Sequence, residues 1–438
     1  MSNRLPLALG LTSIVVCAAF SAPWVENLLK PGEHESLGKQ LAGFFEANAK
    51  QSGTDKAFEK VSDELKKIEN RVKRSPLALP SDLGKAFWAS YDYEKKANAL
   101  KKGGVKELSC PKPKYGEDAK EKLTYALWAP AKYDARKAWP LLILVGDKGQ
   151  KPSDHITEKW TDAAVRDGAV LAAVTMPEGD VASWIELATQ DGDGKVKDGG
   201  LSNVLAVYFD VRKLVAIDFD RVYLVGSGEG VRTVCAMGAR FPDFFAGVAG
   251  RSGDTLKELA IEPYRNLPTL FAGAGGNATD FAKRLTDAKY DNSTLKPEAK
   301  EADIWAWIQD HPRVSNPVNV VISAPPQTQT RAYWVQVPQF DAAVHVEATV
   351  DRGTNTITID ADGATEVILF LNDTLVDLDK EIKFKRNGTE TVEKVVRNLQ
   401  TALNTMARGP SDPGKLFVAT RRFDIPTKPK PKDKPKDK

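Results

Sequence analysis

The chain has 438 residues, 42% hydrophobic and 28% charged, a balance that supports a sizeable core and excludes disorder or a collagen-like repeat for its bulk. The formal net charge is +3, but the tail Pro426 to Lys438 carries six Lys against two Asp, so the remainder sits near −1. A basic nucleic-acid-binding body does not fit that balance, and no nucleic acid is expected as a partner.

In chain order, Leu5 to Phe20, "LPLALGLTSIVVCAAF", form an apolar run behind Arg4, with Ala19 and Ser21 at the −3 and −1 positions of a cleavage site. A signal peptide over residues 1–21 is expected, and with it a secreted, periplasmic or cell-envelope location. The run is short for a span and contains Pro6 and Gly10; left uncleaved, it would be the membrane contact. Val16 is bulky for the position before a lipidated Cys17. Cleavage leaves Cys110 and Cys235, too few for a disulfide framework, and Cys235 is expected to be buried beside Val231, Val234 and Met237.

Residues 22–104 are expected to form a helical N-terminal segment. From about Glu33 to Arg74, Phe58, Val61, Leu65, Ile68 and Val72 recur every three or four residues, giving a stripe that must pack intramolecularly or on a coiled-coil partner. "SPLALPSDLG" marks a break, followed by a polar, Lys-rich stretch. Residues 105–322 then alternate apolar strands ("LTYALWAP", "WPLLILVG", "AVLAAVTMP", "RVYLVG", "FAGVAGRSG", "LPTLFAGAG") with helix-length segments. That pattern predicts an α/β domain with a mostly parallel sheet flanked by helices, whose first two strands suit a hairpin. After Pro317 the alternation becomes polar and apolar, with turns at "DRGTN", "ADGAT" and "RNG", predicting a small β-rich, sandwich-like module over 323–425 with a helix at "RNLQTALNTMA". The Lys/Pro tail, 426–438, is too polar to build a core.

The segment "RVYLVGSGEGV" joins a strand to a helix through a glycine-dense turn. With "ARFPDFFAGVAGRSG" after it, it resembles the nucleophile-elbow region of α/β-hydrolases, especially secreted esterases of the esterase D and polyhydroxybutyrate depolymerase type. The matching residues are Arg240, Pro242, Asp243, Phe244, Ser252 and Gly253. The resemblance implies Gly-x-Ser-x-Gly at Gly226-Ser227-Gly228-Glu229-Gly230, which puts Gly228 where the nucleophile belongs.

The acid that the resemblance implies falls near Gly276 and Asn277, with Asp280 the local carboxylate, and no histidine precedes "IWAWI". His311 lies past that helix, His34 in the N-terminal segment and His345 on a module strand; His155 alone could line the cleft. Ser227 and His155 are therefore the candidates for a rearranged site. Gly146 and Glu229 would supply backbone donors of an oxyanion-hole-like pocket. No cofactor or metal is expected: Val231 replaces the third glycine of a dinucleotide fingerprint, and "DGDGKVKDGG" lacks calcium-loop spacing. Three functions follow for test. They are a non-catalytic binding protein for a protein or polymer ligand, an ester hydrolase with a rearranged site, and an envelope structural protein.

Overall fold

A computed structural model describes residues 27–112, 122–190, 196–324, 330–340, 342–406 and 412–427. The signal-peptide residues, half of the calcium-like loop and residues 428–438 of the basic tail lie outside them. Within the described residues no helix is long and apolar enough to cross a membrane.

The apolar stripe of the N-terminal segment folds as two helices, α1 (Pro31–Ala49) and α2 (Thr54–Val72), joined by a turn in which Gly53 takes a left-handed conformation. Val61, Leu65 and Ile68 are buried. The break is short, because Pro80 begins a third helix, α3 (Pro80–Ala89), whose Pro at the first turn loses no intrahelical hydrogen bond. A short α4 (Tyr93–Ala97) follows, capped by Asp92, which accepts the Lys95 N–H.

The central sheet has eight strands: β1 (Gly104–Pro111), β2 (Lys122–Ala129), β3 (Trp139–Val145), β4 (Val170–Val174), β5 (Ile217–Ser227), β6 (Gly247–Arg251), β7 (Thr269–Ala272) and β8 (Ser293–Lys296). Their spatial order is β1-β2-β4-β3-β5-β6-β7-β8, and β2 is antiparallel to both its neighbours while the other pairs are parallel. The expected hairpin of β2 with β3 is thus corrected. β4 lies between them, because a buried strand with both faces apolar is better covered inside the sheet than at its edge. β1 was not legible as a strand: its sequence "GVKELSCP" is half exposed and its pairing with β2 supplies what its side chains do not.

Side chains alternate between two cores. Leu141, Ile143, Val145, Val222, Leu224 and Val248 face α7 (Gly200–Leu214), α8 (Gly230–Arg240) and α9 (Gly276–Asp287). Leu142, Leu144, Tyr223, Val225 and Ala249 face α5 (Pro152–Lys159), α6 (Ala163–Gly168) and α10 (Glu301–Asp310), through Ile156, Val165, Ile304 and Trp307.

The C-terminal module is a two-sheet sandwich. One sheet orders β9 (Asn319–Ala324), β10 (Val344–Asp351), β11 (Thr356–Asp362), β13 (Glu381–Arg386) and β14 (Thr389–Lys394); the other holds β12 (Glu366–Leu371), β15 (Ala419–Asp424) and two short strands at 331–332 and 335–336. β12 crosses between sheets, so β11 and β13 pair in parallel where sequence alternation suggested antiparallel neighbours throughout. The boundary expected at 322/323 falls inside β9. A helix, α11 (Leu399–Met406), packs Ala402, Leu403 and Met406 into the module. The stripes of α1, α2 and α3 share one core with it, Leu41, Val61, Ile68 and Phe87 meeting Trp334, Leu369 and Phe384.

Arg313 ties the sheet to the module. It is buried, donates to Asp220 Oδ1 at 2.9 and 3.0 Å, and makes a bidentate pair with Asp412 at 2.6 and 2.7 Å. Lys415 adds a 2.9 Å ion pair to Asp243.

Candidate functional site

β5 carries four consecutive buried residues, Val222 to Val225, to the carboxyl end of the sheet, where the chain reverses into α8. The reversal is tight enough to demand both outer glycines. A Cβ on Gly226 would stand 2.6 Å from the Gly230 carbonyl oxygen, and one on Gly230 would stand 2.7 Å from that of Gly146 and closer still to that of Val145. Gly228, at the centre, has φ +55°, the left-handed region that strains any residue with a side chain. α8 then starts with Glu229 as its N-cap residue.

Strand order, a lone antiparallel second strand, and this strand–turn–helix at the carboxyl end of the central strand together decide the architecture. It is an α/β-hydrolase fold. Among solved structures, the chain is similar to a thermostable esterase, with 17% identity, 48% of this chain and 63% of that one, at a TM-score of 0.38. It is similar also to the fluorophosphonate-binding serine hydrolase F of Staphylococcus aureus, with 12% identity, 48% of this chain, 97% of that one and a TM-score of 0.36. The poly(3-hydroxybutyrate) depolymerase LpqC of Bordetella parapertussis follows at 15% identity, 47% of this chain, 86% of that one and 0.36. This chain spans less than two thirds of the esterase's length. No protein-family model matches the sequence, and no curated protein sequence matches it. At these scores the likenesses add nothing to what the sheet itself establishes.

The space above Gly228 in this α/β-hydrolase fold is filled by a carboxylate. A Cβ on Gly228 would stand 2.5 and 2.6 Å from the two oxygens of Asp147, which follows β3 in the sequence. Asp147 Oδ1 accepts the Glu229 N–H at 3.0 Å and the Lys148 N–H at 2.8 Å. The loop holds that posture through Gln150, whose N–H donates to the Asp147 carbonyl at 3.1 Å and whose Oε1 lies 3.3 Å from the Asp147 N–H. An anion at the first N–H groups of a helix is favoured by the unpaired donors and by the helix dipole, so Asp147 acts as the internal anion of α8.

Gly146 and Glu229 therefore lie together, but the Glu229 donor is already engaged by Asp147. Ser227 continues the side-chain alternation of Tyr223 and Val225, placing its hydroxyl on the α5 side of the sheet, away from α8. The Glu229 carboxylate is partly exposed, 3.7 Å from Arg232 one helical turn on. His155, on α5, is buried beneath the loop, with Nδ1 3.0 Å from where a Gly146 Cβ would be and Nε2 without a hydrogen-bond partner. Burial, with Arg251 and Lys159 adding repulsion, pushes its pKa down to about 4, so it is neutral at physiological pH. Ser227, Glu229 and His155 are joined by no hydrogen bond.

Near the expected acid position, Gly276 and Asn277 open α9, and Asp280 is an exposed residue of that helix. A carboxylate not singled out from sequence lies there: Asp254, after β6, accepts the Ala278 N–H at 2.7 Å and the Asn277 N–H at 3.3 Å, capping α9. His311 ends α10, stacked on Trp307, and bonds the Trp307 carbonyl through Nδ1 at 2.7 Å. His34 meets buried Asp82 at 2.9 Å in the helical segment, and His345 is exposed on β10. Cys235 is buried, and burial pushes its thiol well up.

A cleft of about 290 Å³ lies between the loop Gly146–Pro152 and the segment after β4, with Asp147, Lys148, Glu178 and Trp184 on its walls. The residue that sequence reasoning undervalued is Asp147. Its sole signal was an acid directly after the Gly that follows β3.

Proposed function

We propose that this chain is an exported α/β-hydrolase-fold protein that binds a protein or polymer ligand and does not turn over an ester. One observation carries the reading: the Asp147 carboxylate stands where a nucleophile on residue 228 would project and takes the Glu229 N–H that would stabilise an oxyanion. Gly228 supplies no nucleophile. The neutral, buried His155 and Ser227 share no hydrogen bond, which speaks against a rearranged pair. Export is the reading of the apolar run before Ser21; N-terminal sequencing of secreted protein is expected to begin at Ala22.

The test exposes the protein to a fluorophosphonate probe and to short-chain p-nitrophenyl esters. The parent is expected to remain unlabelled and to turn over at background. An Asp147→Gly/Gly228→Ser variant, with the side-chain space cleared and the hydroxyl supplied, is the form in which weak labelling is expected. Labelling of the parent that disappears in Ser227→Ala would overturn the reading.

A further inference from the structure

A second cavity opens at the other end of the parallel strands, where α3, the amino ends of β3 and β5, and the C-terminal module meet. Its volume is about 520 Å³, within the range of about 300–1,000 Å³ typical of small-molecule sites. All three parts of the chain contribute walls: Trp88 from α3, Arg136 from the turn between β2 and β3, Asp220 from β5, and Asn316 and Thr374 from the module and the segment leading into it.

Asp220 is the most informative of these. Its Oδ1 accepts two N–H groups of buried Arg313 at 2.9 and 3.0 Å and the Ser315 hydroxyl at 2.5 Å, while Oδ2 receives no hydrogen bond from the described residues. A carboxylate clamped through one oxygen and open at the other is an oriented acceptor whose ordering was completed on folding. Cationic donors share the cavity. Lys85 is steadied by Asn27 at 2.9 Å, and Arg136 by Asp134 at 3.0 Å. The indole of Trp88 packs at 5.5 Å against Tyr93 and lines the cavity, giving it an amphipathic aromatic wall.

A charged ligand of either sign would gain from one of these groups and be opposed by the other. A neutral ligand rich in hydroxyls meets both, because each hydroxyl donates to Asp220 or accepts from Lys85 and Arg136. The C–H face of a sugar ring covers an indole at the same time. We propose that this junction cavity binds a neutral saccharide of one or two rings, seated on Trp88 and hydrogen-bonded to Asp220. The proposal is independent of the reading of the elbow.

The full chain is titrated calorimetrically with maltose, cellobiose and N,N′-diacetylchitobiose, with saturation-transfer NMR as a second readout. At least one is expected to bind in the millimolar range or tighter. Trp88→Ala and Asp220→Asn should each weaken it at least about tenfold, a difference of about 1.4 kcal/mol. Because Asp220→Asn also touches Arg313, Thr374→Trp, which fills the cavity from the module side, serves as an independent block. Asp147→Ala, at the opposite end of the sheet, should leave the affinity unchanged. Failure of all three sugars to bind, or binding that survives both Trp88→Ala and Thr374→Trp, would overturn the proposal.

Discussion

Substituting Gly228→Ser should cost stability by two routes that can be separated. The first is the backbone: φ is +55°, and holding a residue with a Cβ there costs about 1–2 kcal/mol. The second is the exposed Asp147 carboxylate, whose two oxygens stand 2.5 and 2.6 Å from the new Cβ; as the end of an exposed side chain it swings aside at the cost of its bond to the Glu229 N–H, about 1 kcal/mol or less. The single variant is therefore expected to lose about 1–3 kcal/mol, the sum of the two ranges. Asp147→Gly alone removes a charge-assisted bond to the Glu229 N–H at an exposed site, worth about 1 kcal/mol or less. Together the two substitutions leave the backbone term and lose the Asp147 bond once where the two singles each lose it, so the double variant should be more stable than the sum of the singles by up to about 1 kcal/mol. Urea unfolding of the four proteins of this double-mutant cycle measures that coupling. Additivity within about 0.3 kcal/mol would mean that Asp147 does not occupy the space above residue 228, and the reasoning on the elbow would fall with it.

Acid should weaken the fold through His155. Its pKa in the folded protein is depressed to about 4 against 6.5, so between those values the unfolded chain holds a proton that the folded chain refuses. Stability from this group is intact above pH 6.5, falls as pH drops toward 4, and is level below it. The full loss is about 3 kcal/mol, and His155→Gln should remove that slope in urea unfolding followed from neutral pH downward. A slope unchanged in the variant would assign it to other groups. Arg313→Met should cost about 3–5 kcal/mol by leaving Asp412 buried and uncompensated, whereas Arg313→Met with Asp412→Leu should recover much of that loss. Equal melting temperatures for the two variants would contradict this.

The experiments bear on how an α/β-hydrolase fold is held at its central turn when residue 228 is glycine. Close approach of β5, α8 and the end of β3 is enforced by Gly226 and Gly230 whether or not residue 228 carries a hydroxyl. The donors that the turn creates at the start of α8 still need an anion, and Asp147 provides one from within the chain.

Periodicity alone was enough to place β3 to β7, the amphipathic stripe of α2 and most strands of the C-terminal module, because the residues that face inward are set by local period and side-chain size, whereas the short β8 carries no such pattern and Gly228 in the serine's place came from the resemblance. Tertiary structure alone decided that β2 lies beside β4 and not β3, that the N-terminal helices complete the module's core, and that β12 leaves its neighbours for the second sheet. It also brought Asp147 to Glu229, 82 residues later in the chain. Such meetings depend on which distant surfaces bury the most area and satisfy the most backbone groups once the chain is closed, a property of the whole fold that no local spacing carries.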